Sequence, residues 1–560
     1  MNKCLQSFVV WYIFKEKRFG EVFMRYSIIG ILGVAAMFAA CSQTVSASSD
    51  DEVISLASSS SKKGKSSSSK DSGKISSSST EKQAGSSSSN KPNDEKLSSS
   101  SVAEELDENC VGEPGNPWEG TTAKDFACGA GTKKSPYIIL TAEQLAHLSF
   151  VVGSNDGNYA GKYYKLGADI KLNKGDIIDD KGALVGDSTK LHKWTPIGNS
   201  SVAFTGYFDG DGHTVSGMFI NTTSSNNGLF GNSSGTVQNV TLDNSWVYGG
   251  KYTAGVVGYN TGTLKNITNK ASVTSESGPV GGVIGASNDT YGNVNLVDEV
   301  YNLGVIKGKT DVGGVIGFID RIKLTHAENN GLVEGEKYTG GIWGGAQSTT
   351  VEASYLVNYG SIVGQTYTGG VAGYCGHYGV GSKNAAKCGT LTNVRNEGIV
   401  QGLTFVGGIA GTFGGKMISA SNTSSISGTN YVGGLFGNAD FSTTNNLYNV
   451  GDVLGNQNVG GIIGYNQEGV TSSAYSTGKV DGDSLVGLMI GYNYNTTMAD
   501  YYYWEQGEQE PFGLNNSGGV ATPKSADEMK SDEFAELLGD EFVYDSGLND
   551  GYPVLSWEKE

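Results

Sequence analysis

Gly433-Gly434-Leu435-Phe436-Gly437 returns twenty-seven residues later as Gly460-Gly461-Ile462-Ile463-Gly464. This unit of two small residues, two apolar residues and a glycine occurs ten times. It runs from Asn227-Gly228-Leu229-Phe230-Gly231 and Ala254-Gly255-Val256-Val257-Gly258 through Gly281–Gly285, Gly313–Gly317, Gly340–Gly344, Gly369–Gly373 and Gly407–Gly411 to Gly487-Leu488-Met489-Ile490-Gly491, a copy that has lost its second glycine. Closing glycines stand 26 to 29 residues apart, except for two gaps of 32 and 38. Self-similarity at such a period is the signature of stacked repeats, each too small to bury an apolar face alone.

Other columns keep step. An apolar residue recurs at Val247, Val273, Ile306, Val333, Ile362, Val400, Ile426, Val453 and Val480. Four residues earlier stand Asn269, Asn302, Asn329, Asn358, Asn396, Asn422 and Asn449, with Asp243 and Ser476 at the two ends. Two residues before these comes a second apolar set: Ile267, Val300, Ala327, Leu356, Val394, Ala420, Leu447 and Ala474. The columns predict an all-β fold, a parallel β-solenoid of about ten ~27-residue repeats, in which each strand pairs with its counterpart one coil on, about 4.8 Å away. Twenty-seven residues suit three short strands and three turns. Aligned asparagines suit a corner, where they tolerate positive φ and can bond a neighbouring coil's backbone.

Solenoid ends expose sheet edges, so caps are expected. Thr141-Ala142-Glu143-Gln144 and Ser525-Ala526-Asp527-Glu528 are capping boxes, each opening a short helix read as an end plug.

Composition agrees. Glycine supplies 84 of 560 residues and proline only 9, which excludes collagen, and charged residues are down to 17%. The formal net charge of -18 disfavours nucleic acid and anionic lipid as partners. From Met24-Arg25 a short apolar run reaches Ala39-Ala40-Cys41, a secretory signal that places the start at Met1 or Met24. Residues 42–105 hold 26 serines in blocks such as Ser66–Ser69, a composition that cannot offset ordering entropy and so predicts a disordered tether. The expected organisation is a signal peptide at 1–40, a linker at 41–105, an N-terminal capping region with the first coils at 106–225, the repeat solenoid at 226–505 and a C-terminal cap at 506–560.

Two resemblances add to this. Phe38-Ala39-Ala40-Cys41 resembles a bacterial lipobox, which implies cleavage before Cys41, lipidation there and anchoring to the outer membrane or cell surface. The Gly-Leu-Phe-Gly copy at 228–231 and its relatives over about 226–505 resemble the GLUG-repeat family of bacterial surface proteins. So do the flanks Trp194-Thr195-Pro196-Ile197-Gly198 and Phe208-Asp209-Gly210-Asp211-Gly212. The resemblance implies a β-solenoid on the cell surface and no particular chemistry.

Candidate functional residues are few. Cysteines Cys110, Cys128, Cys375 and Cys388 remain after the export region, and three disulfide connectivities are open. The local one pairs Cys110 with Cys128 and Cys375 with Cys388. Zinc at Cys375 would have only His377 nearby, and Asp209 with Asp211 are weak calcium ligands lacking a later acidic partner. No nucleophile elbow, HExxH or phosphate loop is present, and no cofactor is expected. Tyr252, Tyr338, Tyr367, Phe405 and Tyr431 each stand two residues before the motif, and four of them should stack as a ladder. Such a ladder can stabilise a sheet or contact sugar. The leading expectation is a non-catalytic adhesion or polysaccharide-binding module facing extracellular polysaccharide or a host or plant surface, joined to a membrane through its lipid anchor only. A β-helix lyase or glycoside hydrolase and a structural spacer are the alternatives.

Overall fold

The structure, a computed structural model, describes residues 110–288, 294–376 and 388–559, all within one compact unit. The signal at 1–40, Cys41, the linker at 41–105 and His377 lie outside the described residues. Among the described residues no helix is long and apolar enough to cross a membrane.

The repeats wind into a parallel β-solenoid of about 13 turns. One coil reads Thr263–Asn269, Ser272–Ser275, Val280–Gly281 and Ile284–Ser287 before the next long strand begins at Asn295. Each coil thus has four strands, one long and three short, not the three expected. The Gly-Gly step bends what would be one strand into two, and the four resulting sheets hold 16, 9, 11 and 10 strands. The turn count exceeds ten because coils also form outside the motif. Before residue 226, Tyr164 and Phe208 already stand in one buried column of the long-strand sheet, continued by Val237. After residue 505, Thr522–Lys524 still pairs with Thr497–Trp504.

The three sequence columns lie over one another. Val273 pairs with Val247 and Ile306, and Ile267 pairs with Val300. All are buried. Full burial of such side chains stabilises each coil by roughly 1.5–3 kcal/mol per residue.

The asparagine column is a continuous buried ladder. Asn269 Nδ2 donates to Asn302 Oδ1 at 2.8 Å, and the relay continues through Asn329, Asn358, Asn396 and Asn422 to Asn449. Each second amide hydrogen goes to the carbonyl two residues on, as from Asn302 to Gly304. These asparagines are not among the positive-φ residues, and across coils they bond side chains, so the expected positive φ and bonds to a neighbouring coil's backbone are corrected. The ladder begins differently too. Leu242, not Asp243, pairs with Asn269, because the corner after Leu242 is one residue longer than the one after Asn269, and Asp243 instead meets Lys270 at 3.3 Å.

The motif glycines face this ladder. A Cβ on Gly370 would lie 2.0 Å from the Gly408 carbonyl oxygen and 2.3 Å from Asn396 Oδ1. On Gly373 it would lie 2.5 Å from the carbonyl carbon of Tyr338 in the preceding coil. Glycine is required here by close backbone approach.

The two ends are built differently. Helix α1 (Ala142–Gly153) has the predicted Thr141–Gln144 capping box and buries Leu145, Leu148, Val151 and Val152 in the main core beside the first coil. The C-terminal helices α2 (Ala526–Met529) and α3 (Asp532–Leu538) are not an end plug. Met529, Phe534 and Leu538 pack sideways onto Tyr448, Tyr475 and Tyr502, outward rings of three consecutive long strands. The chain then runs back along the rod. Tyr475 Oη donates to the Pro553 carbonyl, Glu558 accepts from Tyr448 Oη at 2.7 Å and Ser421 Oγ at 2.5 Å, and Trp557 meets Tyr355 edge-on. Strand alternation explains the split. Tyr501 and Tyr503 point into the core, while Tyr502 points out to the returning strap.

Candidate functional site

Both local disulfides form, Cys110–Cys128 and Cys375–Cys388. Among the described residues no group of three metal-ligating side chains converges. Asp209 spends its carboxylate on structure, accepting from Asp211 N, Asn239 Nδ2 and Gln238 Nε2 at 2.8–2.9 Å. Asp211 meets Lys165 at 3.1 Å.

The aromatic column stacks as a ladder from Tyr338 onward. Tyr338–Tyr367, Tyr367–Phe405 and Phe405–Tyr431 have ring centroids 5.1, 4.9 and 4.7 Å apart. Tyr252 stands apart, because Pro279 and Asp311 fill its column in the next two coils, and it packs on Tyr259 instead. Every member has φ between 56° and 60°, a left-handed conformation that costs an L-residue roughly 1–2 kcal/mol. Stacking offsets part of that. The inner rings cover one another's faces, so edges are what the ladder shows to solvent. Lys337 Nζ lies 4.6 Å above the Tyr338 ring.

Asp311 interrupts this column one coil before Tyr338. Its Oδ1 is buried without a hydrogen-bond partner, and burial pushes its carboxyl up to about 6 despite a bond from Thr310 and the nearby charges of Lys337 and Lys251.

A second aromatic surface lies on the outer face of the long-strand sheet, in the first coils. Tyr163 and Tyr207 are 44 residues apart in sequence but adjacent in register, and their rings stack at 4.4 Å and 4°. The next position in the column is Thr236, small enough to leave the far face of Tyr207 uncovered, and Tyr207 is 46% exposed. These rings line a cleft of about 680 Å³ with Lys133, Lys134, Lys165, Asp209 and Gln238. Sequence reading missed this site because no repeat column contains it. The one available signal was the tyrosine-rich pair of segments, Lys162-Tyr163-Tyr164-Lys165 and Tyr207-Phe208-Asp209.

The charged cluster on the same sheet is locked in pairs. Lys265 meets Asp298 at 3.3 Å, and Thr325 and His326 bond the same carboxylate. Burial alone would raise the Asp298 carboxyl, but the bonds from Thr325, His326 and Lys265 hold it below the usual range. A glycosidase acid needs the opposite shift.

Fold and surface together define a β-solenoid with an aromatic, polar outer cleft. No family model matches the chain. A Gly-rich membrane protein of Evansella cellulosilytica is 36% identical over 127 residues, 22% of this chain and 12% of that protein. Halomucin of Haloquadratum walsbyi is 34% identical over 138 residues, 24% of this chain. The chain spans 12% and 1% of the lengths of these two relatives. Among solved structures, a Bacteroides ovatus protein named as a candidate immunoglobulin A1 protease aligns over 78% of this chain and 98% of its own, at 17% identity and a TM-score of 0.28.

Proposed function

We propose that this chain is an exported, non-catalytic surface protein of the GLUG-repeat type, lipid-anchored at Cys41, whose solenoid binds extracellular polysaccharide. The observation that carries the reading is the Tyr163–Tyr207 pair, with one ring face open over Thr236 inside a cleft of about 680 Å³. A pyranose stacks its C–H face on an aromatic ring while its hydroxyls take hydrogen bonds from polar neighbours, and Gln238 and Thr236 stand there to supply them. The test is retention of the intact chain on a panel of insoluble plant and bacterial polysaccharides, beside a Tyr207→Ala variant. Binding by the wild type and its loss in the variant supports the reading; no retention on any polysaccharide removes it.

A structural-spacer reading draws on the other aromatic surface. Rings from Tyr338 to Tyr431 are mostly occupied by one another, as a stabilising element requires. On that reading Tyr367→Ala lowers stability and leaves attachment unchanged.

A further inference from the structure

We infer that the cleft beside Tyr163 and Tyr207 selects acidic polysaccharide, chains bearing carboxylate or sulfate groups, over neutral glycan. The inference rests on the polysaccharide reading and adds the ligand's charge to it.

The argument starts from a two-residue hairpin. Thr132 and Ser135 exchange both backbone hydrogen bonds, at 3.0 and 3.1 Å, which leaves Lys133 and Lys134 as the two tip residues. The stem is fixed. Cys128 pairs with Ile138 across it and is bonded to Cys110, and Tyr163 N donates to the Gly131 carbonyl at 3.1 Å. Both tip lysines are exposed and line the cleft. A constrained tip fixes the two lysine backbones beside the ring pair, so binding has to order their side chains but not the loop.

The local charge is unbalanced. The acidic group lining the cleft, Asp209, is already used by three internal donors, and Asp211 beside it is paired with Lys165. Among the described residues neither Lys133 nor Lys134 forms an ion pair. In a chain of net charge -18, two unpaired cations on a constrained hairpin, next to an open aromatic face, form a local positive site. Ring stacking recognises the sugar and the ammonium pair recognises its anionic substituent. Attraction at an exposed site of this kind weakens as salt rises.

The experiment is calorimetric titration of the intact chain with oligogalacturonides, sulfated dextran oligomers and cello-oligosaccharides of matched length, at low and high salt. The expected result is at least tenfold tighter binding of one or both acidic probes. A Lys133→Gln/Lys134→Gln double variant should erase that preference with its circular dichroism unchanged, while Tyr207→Ala weakens every probe that binds. If cello-oligosaccharides bind as tightly as the acidic probes and the lysine variant changes nothing, the acidic preference is overturned and polysaccharide binding stands. If no probe binds at either salt concentration, the acidic preference is overturned, and the insoluble-polysaccharide panel decides whether polysaccharide binding falls with it.

Discussion

Nδ2 of Asn358 donates to Oδ1 of Asn396 across 2.8 Å, although 38 positions and the whole Cys375–Cys388 loop separate them in the chain. The register is the same on either side of it, since Leu356 pairs with Val394 and Gly369 with Gly407.

The ladder's stability can be tested at its centre. Asn396→Leu keeps the number and branching of side-chain heavy atoms, with somewhat more bulk, but removes the partner of Asn358 Nδ2 and the donor to Asn422 Oδ1. Unsatisfied buried amides cost about 1–3 kcal/mol each, so the urea midpoint should fall clearly. A midpoint equal to wild type would mean that the asparagines contribute shape alone.

Two glycine substitutions should part company. Gly370→Ala places a methyl 2.0 Å from a backbone oxygen in the next coil, a clash that neighbouring coils cannot relieve without breaking pairing. We expect a loss of about 3 kcal/mol or more, or failure to fold. Gly157→Ala meets nothing within 4 Å at an ordinary φ and should stay within about 0.5 kcal/mol of wild type. Thermal melts of the pair measure the contrast.

Asp311 predicts an unusual pH dependence. Its folded carboxyl titrates at about 6, above the ordinary 3.8, so between those values the unfolded chain is ionised while the fold still holds the proton. This group's contribution therefore falls as pH rises from about 4 to 6 and is flat above, a loss of up to about 3 kcal/mol. Asp311→Asn, isosteric and at ease at positive φ, should raise the melting temperature at pH 7 and remove that part of the slope. A lowered melting temperature would show that the carboxylate is used rather than tolerated.

Glu558 holds the returning strap. Its side chain is buried, accepts from Ser421, Tyr448 and the Leu555 amide, and is pushed toward protonation by that burial. Glu558→Ala should free the strap, speeding proteolysis within 525–559 and amide exchange at Leu555 while the repeat strands stay protected. Unchanged exchange at Leu555 would place the anchor in the tyrosine rings instead.

The repeat was legible because its physics is periodic. Val273, Ile267 and Asn302 each recur at one coil's spacing, and parallel in-register pairing is the arrangement that buries all of them at once. What stayed hidden lacked a period. Tyr163 and Tyr207 meet only because an irregular stretch of forty-odd residues closes one early turn. The strap was misread as an end plug because Met529, Phe534 and Leu538 show an apolar face without showing what it covers. Tyr448, Tyr475 and Tyr502 hold the answer, at 27-residue intervals in an outward column. The left-handed aromatics were found by position, but bulky side chains give no warning of positive φ.

A stack of coils joined only to nearest neighbours can peel from either tip, one rung at a time. Here the last residues double back as far as Tyr355, so the C-terminal rungs cannot fray independently: losing one tears the tail from several others. The barrel-stave becomes a hooped cask. Its tightening also waits on residues 525–559, so the coils they bind complete their assembly only once that segment has been made.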